Sequence, residues 1–278
     1  MARARKRFAQ HFLEAAWVAK LVQAVAPQPG EPFVEIGPGR GAITWPLVER
    51  SGRVLAIEVD RDLAAALRAR QAAGLTVIEA DVLEANLPAL VEAWQQAPLR
   101  PAHPVRVVGN LPYNISTPIL FKLLHTSVAT GGLRDATLML QREVADRLRA
   151  RPGTKEYGVL TVLTALHADV QPLLNLPPGA FRPPPKVSSA VVRLVFRPAA
   201  VTLRDEALFT RMVRMVFTQR RKIMANALKP FAEGSALTAA TALAAVGLDG
   251  QRRPESLQLV ELARLADVFA SAADRAVL

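Results

Sequence analysis

A chain of 278 residues, 51% hydrophobic and 21% charged, is long and apolar enough to bury the core of one large domain or of a large and a small one. Cysteine is absent, which excludes disulfides, zinc–thiolate centres and cysteine nucleophiles, and the four histidines (His11, His103, His125, His167) are too dispersed in sequence to form a local metal-ligand pair. A formal net charge of +11 points to a polyanionic partner, nucleic acid ahead of a membrane surface.

The chain opens on a basic arm containing Arg5, Lys6 and Arg7. With the apolar stretch after it and Ala24-Val-Ala26, the arm imitates a secretory signal, but Glu14, Lys20 and Gln23 interrupt the required apolar core. No uncharged run reaches the roughly 20 residues of a membrane span. The expectation is a cytoplasmic protein with no membrane segment and no metal.

Short apolar runs then alternate with helical spacing, the pattern of a parallel α/β sheet. Strands are predicted at Phe33 to Ile36, Arg53 to Glu58, Leu75 to Glu79, Val105 to Gly109 and Thr137 to Gln141. Helices are predicted at Ala42 to Arg50, Arg61 to Gln71, Leu87 to Gln95 and Thr117 to Thr126. Two further strands are expected at Val170 to Asn175 and Ser189 to Phe196, the last close to a sheet edge. From about Arg204 the strand signals stop, and a second, all-helical domain is expected. The predicted division is residues 1–200 for the catalytic domain and 201–278 for a helical RNA-binding domain.

Glu35-Ile-Gly-Pro-Gly-Arg-Gly41 follows the first of these strands and precedes a helix, so Gly37 and Gly39 let backbone approach a ligand closely. On spacing alone the loop fits three readings: a nicotinamide dinucleotide site, with Glu58 some 20 residues on, a tight strand-to-helix turn and nothing more, or a phosphate-free nucleoside site. The neighbours favour the last. A carboxylate at Glu35 repels a pyrophosphate, whereas S-adenosylmethionine has no phosphate and carries a sulfonium and an ammonium. Glu35, Glu58 and Asp81 are expected after successive strands, on the rim where open α/β folds bind ligands. There Glu58 can accept from both ribose hydroxyls and Asp81 from the adenine amine.

Asn110-Leu-Pro-Tyr-Asn-Ile-Ser116 ends the next strand on the same rim. An exocyclic adenine amine is a poor nucleophile because its lone pair is delocalised into the ring. The Asn110 side-chain oxygen and the Leu111 carbonyl can accept its two N–H bonds and free that lone pair for attack on a methyl carbon. Pro112 stiffens the turn and Tyr113 offers a stacking face, so catalysis would come from positioning, with no strong general base.

Together with this stretch and the glycine loop, Gln10-His-Phe-Leu13, Gln141-Arg-Glu-Val144, Phe181-Arg-Pro-Pro-Pro-Lys-Val187 and Phe217-Thr-Gln-Arg-Arg-Lys222 occur in an order that resembles the bacterial small-subunit ribosomal RNA adenine N6,N6-dimethyltransferases. The resemblance runs from about Arg5 to the C-terminus. The macrolide-resistance methyltransferases share the cofactor motifs but are less similar through the proline-rich stretch and the C-terminal helices. The resemblance implies a seven-stranded, class I (Rossmann-like) S-adenosylmethionine-dependent methyltransferase sheet with a small helical domain. It also implies dimethylation of two adjacent adenosines in the 3′-terminal hairpin of 16S RNA, in the small ribosomal subunit or its precursor, by a monomer. Residues and resemblance together give the expected cofactor contacts as His11, Leu13, Glu35, Gly37, Gly39, Glu58, Asp81, Val82 and Asn110. Catalysis falls to Asn110, Leu111, Tyr113 and Phe181, with Phe181 closing the base pocket opposite Tyr113. Ala9 departs from the family, which commonly has glycine there.

Arg211 to Lys222 carries five positive charges and no acid, and helical spacing puts Arg211, Arg214 and Arg221 near one face. With the basic arm and the total charge, Arg5, Lys6, Arg7, Arg211, Arg214, Arg220, Arg221 and Lys222 are the expected phosphate contacts. The competing expectation is a catalytically silent assembly or transcription factor on the same scaffold; the intact Glu58, Asp81 and Asn110 to Tyr113 argue against it.

Overall fold

The computed structural model describes residues 11–100 and 102–276. The arm residues Arg5, Lys6, Arg7 and Ala9 lie outside the described residues. The chain divides into two compact units, one of residues up to 145 together with 168–198, the other of 146–167 and everything from 199.

The first unit runs β1 (Phe12–Leu13), α1 (Ala15–Val25), β2 (Phe33–Ile36), α2 (Thr44–Ser51), β3 (Val54–Glu58), α3 (Arg61–Arg68), β4 (Leu75–Glu79), α4 (Leu87–Gln95), β5 (Val105–Asn110), α5 (Ser116–Thr130) and β6 (Leu133–Gln141). After α6 (Arg142–Leu148), which crosses the division, and α7 (Val159–His167), it resumes with β7 (Ala168–Leu176), β8 (Phe181–Arg182) and β9 (Ser189–Phe196). Seven strands form one sheet in the order β4-β3-β2-β5-β6-β9-β7. The pairs from β4 to β6 are parallel, and β9 runs antiparallel to both β6 and β7.

The residues explain the order. All of β2 and β3 and nearly all of β5 are buried, as inner parallel strands covered on both faces must be. At β4 the apolar positions are only half covered, which suits an edge. The chain leaves β2 toward β3 and β4 and returns to β5 on the other side of β2. This puts the topological switch, where open α/β sheets form a crevice, at the carboxyl ends of β2 and β5. At their opposite ends, the Arg106 guanidinium bonds both Asp135 oxygens at 3.2 and 3.0 Å, Glu31 at 3.0 Å and the Val25 carbonyl at 2.9 Å. That buried cluster fixes the end of α1 to the sheet.

Within the second unit, α7 belongs with α8 (Glu206–Thr218), α9 (Met224–Ala227), α10 (Lys229–Ala232), α11 (Ala239–Ala245) and α12 (Leu259–Ala276). Helix α8 starts where Asp205 accepts from the Leu208 N–H at 2.8 Å. It buries Leu208, Phe209, Met212, Val213, Val216 and Phe217. A single junction near residue 200 is therefore not how the contacts divide the chain, since residues 146–167 pack with the helices. β9 lies one strand in from the edge strand β7, close to the sheet edge as expected. One sequence expectation shifts with the structure. α8 ends at Thr218, so Arg221 falls in the turn beyond it and does not share a helical face with Arg211 and Arg214.

Candidate active site

Above the carboxyl ends of β2 to β5 the first unit has a cavity of about 290 Å³. Of the expected residues, His11, Leu13, Gly37, Gly39, Glu58, Asp81, Val82, Asn110, Leu111 and Tyr113 line it. The structure therefore brings together segments that lie up to a hundred positions apart in sequence.

The glycine loop forms one wall. Its fold depends on Gly39, whose φ of +58° suits glycine and whose N–H donates to the Glu58 carboxylate at 2.9 Å. A Cβ there would lie 3.3 Å from the Phe12 ring. The other Glu58 oxygen accepts from the Asp60 N–H at 2.9 Å, so the carboxylate at the end of β3 is held in one orientation. Burial pushes the Glu58 carboxyl up, and the Asp60 and Gly39 N–H bonds pull against that. Asp81 accepts from the Leu83 N–H at 2.8 Å, which fixes the turn after β4 and exposes Val82 to the cavity.

The opposite wall is Asn110 to Ile115. The Asn110 amide nitrogen donates to the His11 carbonyl at 2.8 Å, which turns the amide oxygen away from that contact. The Tyr113 hydroxyl shares a 2.6 Å hydrogen bond with Ser189, and burial pushes the phenol pKa up. His11 stacks on the Tyr113 ring with centroids 5.7 Å apart and an interplanar angle of 26°. Its Nδ1 meets the Pro183 carbonyl at 2.8 Å. His11 thus joins the acceptor stretch to the proline-rich stretch.

Two expected residues are elsewhere. Glu35 lies within β2, not after it, is 1% exposed and does not line the cavity. Burial pushes its carboxyl up to about 8, with the Thr44 hydroxyl acting downward and the Glu58 charge adding to the rise. Below that pH Glu35 is neutral and does not supply the repulsion of a pyrophosphate expected of it. Phe181 is 0% exposed, paired with Leu13 across the β1–β8 ladder and packed among Val18, Leu21 and Val22. It is core in this structure and is not among the residues that line the cavity. Residues the sequence reading missed are Phe12, Arg40, Val59, Ile119 and Ser189. The Arg40 guanidinium lies 4.2 Å from the Phe12 ring centroid. Phe12 sat inside a recognised motif, whereas Ser189 carries no pattern that would reveal its partner.

A match over residues 1–268 decides the family. The chain belongs to the ribosomal RNA adenine dimethylase family. It is 45% identical over 269 residues to "Ribosomal RNA small subunit methyltransferase A" of Xanthomonas campestris pv. campestris strain 8004, covering 95% of this chain and 96% of that protein. A protein of the same name from Verminephrobacter eiseniae is 48% identical over 229 residues, 81% of this chain and 78% of that one. Among solved structures, a dimethyladenosine transferase from Plasmodium falciparum superposes with a TM-score of 0.78 at 22% identity, covering 95% and 98% of the two chains. The 23S rRNA methyltransferase ErmE gives 0.62 at 26% identity, covering 93% and 99%. The expected class I methyltransferase sheet is the fold observed.

Outside the cavity, among the described residues, no helix is long and apolar enough to cross a membrane and no acidic or histidine cluster could hold a metal ion. In the second unit Arg211, Arg214, Arg221 and Lys222 are exposed. Arg220 is engaged differently: it bonds Glu255 at 2.9 and 2.8 Å and the Lys155 carbonyl at 2.9 Å. Those bonds make it a structural clasp of the helical unit, not an available phosphate contact.

Proposed function

We propose that this protein transfers methyl groups from S-adenosylmethionine to N6 of two adjacent adenosines in the 3′-terminal hairpin of 16S RNA, acting in the cytoplasm as a monomer on the small subunit or its precursor. The cavity residues fit that cofactor. Glu58, oriented by two backbone N–H groups, can accept from two ribose hydroxyls. The turn at Asp81 and Val82, with Ile57 and Ile36 beside it, offers an apolar slot with a polar edge for adenine. The Glu58 and Asp81 carboxylates beside the glycine loop suit a phosphate-free nucleoside better than a pyrophosphate. When bound, the cofactor supplies an electrophilic methyl group; the remaining requirements fall on this chain.

The observation that carries the reading is the Asn110 hydrogen bond to the His11 carbonyl. It occupies the amide N–H side and leaves the amide oxygen as an acceptor on the cavity rim. With the Leu111 carbonyl, that oxygen can take the two N–H bonds of an adenine amine and localise its lone pair. The proton released on forming the new N–C bond passes to solvent, consistent with a rim that has no strong base. Tyr113, pinned by Ser189, gives the base a fixed plane.

The test incubates the protein and S-adenosylmethionine with small subunits lacking the modification and maps methyl groups by mass spectrometry, with Asn110→Ala beside it. Dimethyladenosine at the paired 3′-hairpin adenosines, reduced at least a hundredfold in the variant (about 2.7 kcal/mol of barrier), is expected. Tight subunit binding without methyl transfer by the wild type would sink the reading and favour a silent assembly factor.

A further inference from the structure

Lys122 lies on α5, one turn after the cavity-lining Ile119, and its ammonium donates to two main-chain carbonyls, Leu83 at 2.8 Å and Ala85 at 2.6 Å. Those carbonyls belong to the turn that immediately follows Asp81 and Val82, which line the cavity. From this geometry we infer that Lys122 is a positioning residue for the cofactor's adenine, a strut that holds the Asp81–Ala85 turn in place from the helix that carries the acceptor stretch. The inference rests on the proposed cofactor.

The sheet explains the need for a strut. Strand β4 is an edge strand, hydrogen-bonded to β3 alone, so the turn at its end has a neighbouring strand on only one side. Internal bonds close the turn: Glu84 and Ala85 N–H groups both donate to the Asp81 carbonyl, at 3.1 and 2.9 Å. They set its shape without fixing where it sits against the cavity. Lys122 supplies that placement, because a charged donor bonded to two carbonyls spans the gap between the turn and α5. Helix α5 starts at Ser116, directly after the Asn110 to Ile115 wall. The two ends of the cavity, the adenine slot and the acceptor wall, are thereby tied through one side chain that touches neither ligand.

The full-length protein, Lys122→Met and Lys122→Arg are titrated calorimetrically with S-adenosylhomocysteine and with 5′-methylthioadenosine, which keeps the adenosine but lacks the amino-acid tail. The Met variant keeps the aliphatic stem and loses both donors; it should weaken both ligands by the same factor, roughly tenfold, with Arg recovering most of the loss. The KM for cofactor should rise by a similar factor while kcat holds, and the ligand-free melting temperature should stay near that of the wild type. Equal affinity of Met variant and wild type for both ligands overturns the inference. So does a larger loss for S-adenosylhomocysteine than for methylthioadenosine, which would place the effect at the amino-acid end. Where Lys122→Met does not fold, Lys122→Gln is read in the same way. A wild type that binds neither ligand removes the cofactor reading itself, an outcome distinct from failure of the strut.

Discussion

Glu35 makes the first unit less stable as pH rises, and replacing it by glutamine should remove that dependence. In the folded chain burial pushes its carboxyl up to about 8, from an ordinary 4.5. Its Oε2 is buried without a hydrogen-bond partner among the described residues. Between those two values the folded state holds a proton that the unfolded state has lost, so stability falls with rising pH through that window. Nothing is lost below about 4.5, and the full effect is reached above about 8. The interval corresponds to roughly 5 kcal/mol at about 1.4 kcal/mol per pH unit, an upper figure since a buried carboxylate recruits relief. The tryptophans Trp17, Trp45 and Trp94 all lie in the first unit, so urea unfolding followed by tryptophan fluorescence reports on it selectively. Comparing wild type and Glu35→Gln at pH 4.5, 7 and 8.5, the variant should match the wild type within about 1 kcal/mol at the lowest pH. It should exceed the wild type by several kcal/mol at the highest. Glu58, also raised by burial, leaves a residual slope of the same sign in both proteins. Parallel stability curves across the three pH values would refute the assignment of a proton to Glu35.

Gly41→Ala should destabilise the first unit by about 2–4 kcal/mol in the same unfolding assay, because the glycine has φ +83° and a Cβ would lie 2.5 Å from Trp45 Nε1 and 2.9 Å from Leu67 Cδ2. A loss below 0.5 kcal/mol would show that the α2 turn adjusts freely. Arg221→Ala with Lys222→Ala should weaken RNA binding on matched and unmatched hairpins alike and lower the slope of log K against log salt by roughly 1–2. Arg220→Ala should leave that slope unchanged and lower the stability of the helical unit, since Arg220 is paired with Glu255; the reverse pattern in a filter-binding titration would contradict the assignment.

β2, β4 and β9 start and stop where the apolar pattern does; β2, an inner parallel strand buried on both faces, reads as a nearly unbroken apolar run, and β4 and β9 carry enough apolar and β-branched residues to read as strands even at or beside a sheet edge. The start of β6 was hidden by Arg134 and Asp135, which look like loop residues. Asp135 is tolerated inside the strand because Arg106, from the adjacent β5, meets it there. Helix α7, Val-Leu-Thr-Val-Leu-Thr-Ala-Leu-His, is buried almost all round and so carries no helical stripe, and the β-branched residues in it lean toward strand. The two-residue ladder of β1 with β8 joins positions nearly 170 apart, and no local signal marks it. Phe181, expected as a pocket wall, sits in that ladder opposite Leu13 with its side chain buried.

That displacement bears on dimethylation. After one methyl transfer the amine keeps a single N–H and carries more bulk, so one of the two acceptors at Asn110 and Leu111 goes unused and the base must turn. Phe181 is buried and does not line the cavity, whose rings are those of His11, Phe12 and Tyr113. The Tyr113 ring cannot follow the base, because Ser189 holds its hydroxyl at 2.6 Å and His11 stacks against it. On the proposed chemistry, the freedom needed for the second methyl therefore lies with the adenosine, since His11 is held by its Asn110 and Pro183 contacts.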